Sequence, residues 1–291
     1  MKLSHLYNEV IKFGISLDPR KPNTIKSFPD TAILYGSPDT EVKKILIGID
    51  IEVADLLLAD RIRQTQGLDL VMSHHPEGSA YLELYKVMQL QVDVLARIGI
   101  DKKIAQELLD ERKREVERRL LPQNHMRSVD AARLLDLPFM CAHTPADNHA
   151  YAFIRDLLDK KKPKDVGDIL DILMTIPEYR YAAKESVGPR LILGNPKRRV
   201  GKVAIEMTGG TEGPKDVFDK MYKAGVRTLV CMHLSEEHLK KVKDVNLNVI
   251  IAGHISSDTL GLNLLLDRIE RQAREEFRII NCSGFRRFKR N

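Results

Sequence analysis

Short apolar runs and amphipathic stretches alternate along most of this chain. Ile45–Ile49, Leu68–Met72, Pro138–Ala142, Val203–Met207, Thr228–Met232 and Val249–Ala252 read as buried strands, and a last strand falls near Phe277–Ile280. Helical spacing fills the intervals at Val53–Gln66, Val129–Leu135, Asp147 to about Lys160, Lys215–Ala224, Glu236–Val242 and Thr259–Glu276. A long charge-rich helical region runs from Tyr81 to about Leu121, with a break at Ile100-Asp101. Residues 161–200, with Pro163, Pro177, Pro189 and Pro196, read as irregular and basic. This alternation predicts an α/β fold with mixed, largely parallel sheets. A weak internal echo adds to it. One strand-helix-strand unit from Ile45 ends in Val71-Met72-Ser73-His74, another from Val203 in Val230-Cys231-Met232-His233. Two similar α/β domains facing each other follow from that echo.

Composition narrows the class. At 291 residues, 43% hydrophobic and 30% charged, the chain has material for one or two soluble domains. No apolar stretch approaches the ~20 residues of a membrane span. The N-terminus has no long apolar core, so no signal peptide is expected. Cys141, Cys231 and Cys282 lack CxxC spacing and fit reduced residues of a cytoplasmic protein. Without Trp, and with 5% aromatics, base-stacking platforms are not expected, so nucleic acid is an unlikely class of partner. The net charge of +6 gathers in runs at 160–164, 197–199 and 286–290. They read as solvated loops and a frayed C-terminus. The sharper alternative is a surface attracting phosphorylated ligands.

The candidate chemistry sits where strands end, which is where open α/β sheets collect ligands. His74 and His75 follow Leu68–Met72 and precede Pro76, which stops the strand. Adjacent strand residues point to opposite sides, so the pair is suited to serve two metals. His143 and Asp147 follow the next run, and Gly253, His254 and Asp258 follow Val249–Ala252. Each His–Asp pair is spaced i, i+4 and shares one face if the strand turns directly into a helix. Gly253 allows close approach of the backbone. Imidazoles mixed with carboxylates suit zinc, iron or manganese, and one carboxylate can bridge two ions. The plainer reading of Asp147 and Asp258 is that they are first-turn residues favoured by the helix dipole.

The runs Leu70–Pro76, His143-Thr144-Pro145-Ala146-Asp147 and Gly253-His254-Ile255-Ser256-Ser257-Asp258 resemble the three signatures of the NIF-three-like family, in the family's order, from Ile45 to about Ile280. Its members are described as dinuclear metal-centre hexamers or GTP cyclohydrolase 1 type 2 homologues. The resemblance implies two divalent ions held by His74, His75, Asp147 as the bridge, His254 and Asp258, with His143 beside them. It also implies two similar α/β domains with the metals between them, in a toroidal homohexamer. The expected organisation is an N-terminal domain over 1–140 carrying a helical insertion near 77–125, with 255–291 packing back on it, and a second domain over 141–254. Asp258 stands where the family usually has Glu, and Cys231-Met232-His233 where it has Thr-Gly-Glu.

Further candidates are weaker. Thr208–Pro214 follows a strand and either cradles a phosphate or makes a tight turn. Glu52 is a candidate general base, though capping the next helix suits it better. His233 is read as supporting rather than ligating, His125 and His149 as surface residues, and His238 as lacking a partner. The expected chemistry is metal-dependent hydrolysis of a small anionic or nucleotide-like substrate, with His143 or Glu52 as acid/base. The alternative is a non-catalytic metal-binding regulator or scaffold.

Overall fold

A computed structural model describes residues 1–21, 24–185 and 187–290. They form two sheets of like topology. The first has the order β1-β4-β3-β2-β9, from Thr31–Tyr35 (β1), Lys44–Gly48 (β2), Leu70–Ser73 (β3), Phe139–Ala142 (β4) and Arg278–Asn281 (β9). The second has the order β5-β8-β7-β6, from Arg190–Leu193 (β5), Lys202–Glu206 (β6), Val226–Cys231 (β7) and Asn248–Ile251 (β8). In each sheet the first strand in sequence lies antiparallel at the edge and the other three follow in parallel, so the echo at Ile45 and Val203 marks a real repeat of topology. β9 adds in parallel to β2 and returns the C-terminal segment to the first sheet.

The two sheets exchange helices. The helix Thr144–Lys161 leaves β4, yet its Ala150, Tyr151, Ile154 and Leu158 pack against Val230, Ile250 and Ala252 of the second half. The helix His254–Ala273 leaves β8, yet its Leu262, Leu265, Leu266 and Ile269 pack against Ile45, Ile47, Met72 and Met140 of the first. Each fully buried aliphatic of this kind contributes about 1.5–3 kcal/mol, so apolar burial holds the exchange together. The segment between β3 and β4 is helical as expected, with Asp101 capping Lys102–Leu120 just after the expected break. Its Val92, Leu95, Ala105 and Leu109 cover Ala204, Leu229 and Val249 of the second sheet.

Several expectations need correction. Residues 161–200 are not irregular. They hold the helices Val166–Leu173 and Pro177–Lys184 and the strand β5. A capping box between Asp165 and Asp168 starts the first of these helices, and Pro177 sits in the opening turn of the second, where a missing N–H costs nothing. Pattern reading also missed the helix Leu3–Leu17 and β1. The C-terminal basic run is not frayed. Arg287 binds Asp267 and Glu270 at 2.6 and 2.9 Å, and Arg290 binds Glu178 at 2.6 Å. His149 is buried, with Nδ1 2.7 Å from the Pro145 carbonyl. His238 is buried too and has partners, with Nε2 2.9 Å from the Gly213 carbonyl and Nδ1 2.7 Å from Ser235 Oγ.

The exchanged helices cross where Gly261 meets Ala146. A methyl group at Gly261 would lie 2.4 Å from the Ala146 carbonyl oxygen and 2.8 Å from its carbonyl carbon, and both belong to rigid helical backbone. Gly261→Ala must therefore push the helices apart. We expect a loss of about 1–3 kcal/mol of stability, read from urea unfolding. A variant as stable as wild type would mean that the crossing is looser than its geometry.

Candidate metal centre

The carboxyl ends of the parallel strands in both sheets meet at one place. His74 and His75 follow β3, and their amides still bond the Gly48 and Ile49 carbonyls. The chain bends there, so the two rings do not point to opposite sides as alternation implied. They turn toward one centre, 5.2 Å apart and tilted by 48°. His143 follows β4 as the N-cap of Thr144–Lys161, with Asp147 in the first turn of that helix. His254 opens the helix after β8, and Asp258 lies one turn on. Gly253 makes this entry possible at φ +109°, where a side chain would also strike Ser256.

Five carboxylate and imidazole contacts define the centre. His74 Nε2 lies 3.3 Å from Asp147 Oδ1 and 3.5 Å from Asp258 Oδ1. Asp258 Oδ2 lies 3.4 Å from His75 Nε2 and 3.5 Å from His254 Nε2. His143 Nε2 is 3.8 Å from Asp147 Oδ2. Asp258 thus presents one oxygen to His74 and the other to His75 and His254. Asp147 also turns its two oxygens to two imidazoles, His74 and His143. Asp258 is 1% exposed.

Each of three imidazoles is held from behind. His74 Nδ1–H donates to the Ala142 carbonyl at 3.2 Å. His75 Nδ1 is 2.6 Å from Asp50 Oδ1, and His143 Nδ1 is 2.7 Å from Asp30 Oδ2. With Nδ1 engaged, each ring turns Nε2 toward the centre, which is how ligating histidines are oriented. Asp30 and Asp50 escaped the sequence reading. Asp50 lay at a strand end that was read for Glu52, and Asp30 precedes the strand β1 that pattern reading missed. Glu52 is the N-cap of Val53–Gln66 and shares a capping box with Asp55, whose Oδ2 is 2.9 Å from Glu52 N.

The inner atoms of the centre are buried and poorly satisfied. His74 Nε2, Asp147 Oδ1 and both oxygens of Asp258 have no hydrogen-bond partner, although ions of opposite charge stand nearby. Buried charges without aligned partners are costly, so this arrangement needs another positive species between the groups. A divalent cation fits. Three groups of donor atoms lie within 4.8 Å of one another: His74, Asp147 and Asp258; His75, His254 and Asp258; and His74, His75 and His143. Two ligands each about 2.0–2.2 Å from a tetrahedral ion stand about 3.3–3.6 Å apart, which matches the separations above. The donor types suit zinc, iron or manganese rather than calcium or magnesium.

Protons alone would serve the centre differently. Burial pulls the His74 and His75 imidazoles down. The carboxylates outweigh it, Asp258 and Asp147 holding His74 up at about 10 and Asp258 and Asp50 holding His75 at about 9. Burial pushes Asp258 up, and the same histidines pull it well below the carboxylate range. His254 is lowered by burial and by the neighbouring imidazoles, which leaves it ready to ligate.

The mouth is formed by Thr208–Glu212 and by Met232, His233 and His254, around a space of about 40 Å³. His233 stands with its ring 4.8 Å from His254 and Nδ1 3.5 Å from Glu212 Oε1, outside the converging donor atoms. In the glycine loop Gly213 N donates to Glu206 at 2.7 Å, so that amide is taken and stands beside a carboxylate. Among the described residues the three cysteines are free and far from ligand spacing, and no helix is long and apolar enough to cross a membrane.

Comparison with known proteins agrees with this fold. The sequence model of the Duf34/NIF3 (NGG1p interacting factor 3) family matches residues 117–284, which include the His143–Asp147 and His254–Asp258 motifs. An NIF3 superfamily protein from Sphaerobacter thermophilus is similar over 95% of this chain and 98% of its own, at 28% identity and a TM-score of 0.79. Reduced HcgD from Methanocaldococcus jannaschii covers 97% of each chain at 15% identity and a TM-score of 0.56. A Bacillus cereus protein related to NIF3 covers 94% and 95% at 12% identity and a TM-score of 0.52. The last two show likeness of fold alone. No curated protein matches the sequence.

Two outcomes follow for the cluster. Metal analysis should find Asp258→Asn nearly free of metal and Asp147→Asn retaining part of the wild-type content, since Asp258 faces His74, His75 and His254 and Asp147 only His74 and His143; equal losses would give the two carboxylates the same part in the centre. Because His74 and His75 sit at about 10 and 9, a cation must displace their protons at neutral pH. Loading should therefore release about two protons per chain, and affinity should climb with pH until it levels above pH ~9–10. Calorimetry in buffers of different ionisation enthalpy reads this directly.

Proposed function

The chain belongs to the Duf34/NIF3 family, and from the convergence of four imidazoles and two carboxylates we propose that it binds two divalent metal ions and acts as a metal-dependent hydrolase. One ion would be held by His74 and Asp147, the other by His75 and His254, with Asp258 between them. The observation that carries this reading is Asp258, buried and unbonded, with its two oxygens turned to two imidazole sets. Such ions supply an activated water and polarise the group under attack.

The chain's own residues provide the rest. Asp30 accepts from His143 Nδ1–H at 2.7 Å and from Thr144 Oγ at 2.6 Å, and so holds His143 in one tautomer with Nε2 facing Asp147. Nε2 is then placed to take a proton from an attacking water or return it to a leaving group. His254, 40% exposed at its side chain, is the ligand nearest solvent and marks the side from which substrate enters. The substrate class we propose is a nucleotide-like or phosphorylated small molecule, in line with the family's GTP cyclohydrolase 1 type 2 description and the net positive charge. We also propose a homo-oligomer, a hexamer by family resemblance, and a cytoplasmic setting.

One observation favours a second reading, that of a non-catalytic metal-binding regulator or scaffold. The space beside the cluster, about 40 Å³, admits a water and not a nucleotide. Catalysis therefore requires the substrate to present its reacting group at the mouth.

The experiment is a hydrolase screen of the metal-loaded protein beside Asp147→Ala and Asp30→Asn. If the reading holds, Asp147→Ala loses part of its metal together with its activity. Asp30→Asn should keep its metal and lose about 10²-fold or more in kcat, since positioned acid/base catalysis contributes about 10²–10⁴-fold. Full metal loading with no turnover of any nucleotide or phosphoester would favour the scaffold.

A further inference from the structure

A second and larger recess lies apart from the cluster. It is a cleft of about 570 Å³ along β6, the free edge of the second sheet. Its long walls are the helices Leu90–Arg97 and Thr144–Lys161. Hydrogen bonds fix their direction. Gln91 reaches the loop after β6, donating to the carbonyls of Gly209 and Thr211, while Lys202 at the start of β6 donates to the Ile98 carbonyl at 2.7 Å. The helix Leu90–Arg97 therefore runs against β6, and the cleft has an inner end beside the metal centre and an outer end at Lys202. Glu206 and Thr208 line both spaces.

The cleft is chemically graded along its length. At the inner end Gln91 is 6% exposed, and both hydrogens of its amide are spent on the loop carbonyls at 2.9 and 2.8 Å. Its Oε1 has no partner. Glu206 adds a carboxylate at the same end. Two acceptors stand there with no donor for Gln91 Oε1, and a buried amide oxygen left so is poorly stabilised. The middle is apolar, walled by Val94, Leu158, Met221 and the Tyr151 ring. Toward the outer end Arg97, Arg155, Lys162 and Lys202 gather, with Asp159 in the lining and Asp156 beside Arg155. Lys202 is committed to helix carbonyls, and Arg97 donates to the Pro19 carbonyl. Arg155 pairs with exposed Asp156 and lies over the Tyr151 ring at 5.5 Å. The volume lies in the range of pockets that enclose small organic ligands, about 300–1,000 Å³.

We propose that this cleft binds a small organic anion built in three parts. An N–H or O–H donor meets Gln91 Oε1 and Glu206. A flat apolar body fills the middle against Tyr151 and Val94. A phosphate, sulfonate or carboxylate meets Arg155 and Lys162 at the outer end. The charge gradient sets the orientation, because an anion beside Glu206 is repelled, whereas four cations stand toward the outer end against Asp159 and Asp156. This site stands whether or not the metal centre is catalytic. It also gives the helical segment between β3 and β4 a task, since that segment supplies one wall and the inner acceptor.

The test uses 6-anilinonaphthalene-2-sulfonate, a dye whose N–H and sulfonate stand at opposite ends of a flat naphthalene. Titrated into the metal-loaded full chain and followed by fluorescence and calorimetry, it should bind saturably at about one site per chain. Val94→Arg, which fills the middle, should abolish that site. Arg155→Glu, a change at a partly exposed position that folding tolerates, should weaken it about tenfold or more with metal content unchanged. The N-methylated dye, lacking the donor, should bind more weakly to wild type and no more weakly to Gln91→Leu than the parent dye does. Weak, non-saturating binding, or binding indifferent to both Val94→Arg and Arg155→Glu, would overturn the proposal. So would a wild-type chain that binds no dye and whose particle mass falls in Val94→Arg, since the occupant would then be a second copy of the chain.

Discussion

The contact on which the rest depends is the crossing of two helices at a single glycine. Helix Thr144–Lys161 and helix His254–Ala273 each leave one sheet and pack on the other, and they meet at Gly261 over the Ala146 carbonyl. Asp147 follows Ala146 directly, and Asp258 lies one helical turn before Gly261. Close approach of the backbones therefore draws the two carboxylates into the same small volume. Buried carboxylates repel, and apolar packing along both helices supplies the force that holds them near each other. His74, at the end of β3, fits between them. The crossing is thus a structural contact whose position determines the charge density of the centre.

Orientation of the histidines is the complementary constraint. An imidazole presents its Nε2 reliably only when Nδ1 is engaged, and His74, His75 and His143 meet this with three different acceptors, a backbone carbonyl, Asp50 and Asp30. The arrangement separates two tasks that sequence cannot distinguish by residue type. Asp147 and Asp258 face inward with unbonded oxygens. Asp30 and Asp50 face the backs of rings, each with one oxygen bonded to a ring Nδ1. All four are aspartates near strand ends or helix starts, and only their partners tell them apart.

That difference explains what pattern reading reached and what it did not. The strands β2, β3, β4, β7 and β8 were legible because they are continuous apolar runs buried on both faces, and the ends of β3, β4 and β8 named His74, His75, His143 and His254. The i, i+4 pairs were legible because each strand turns straight into a helix. The antiparallel edges β1 and β5 are short and partly exposed, so their alternation is weak, and with β1 went the acid that precedes it, Asp30. The helices between 165 and 184 were hidden by prolines that in fact start or flank them. Burial of His149 and His238 was illegible because it depends on helices distant in sequence. That Asp258 turns its two oxygens to different imidazoles was equally hidden, because it depends on where β3 and β8 end in space.

Repetition of the fold did not bring repetition of the chemistry. Both sheets place a strand, β3 or β7, beside the centre. After β3 come two histidines with acceptors behind or beside them. After β7 the chain gives Met232, which packs into the core, and His233, which turns to Glu212. Glu212 is pushed up by burial but pulled further down, to about 2, by His233, His238 and Ser235. It also belongs to the glycine loop that Gln91 and Arg112 of the inserted helices hold by its carbonyls. The second half thus supplies a wall, and that wall is shared between the His/Asp cluster and the cleft along β6. A change in the inserted helices can reach the mouth of the centre through two or three hydrogen bonds, without touching a ligand. The divergence of the halves therefore follows one physical line, with imidazoles and their orienting acids in the first half, and loop position and access in the second.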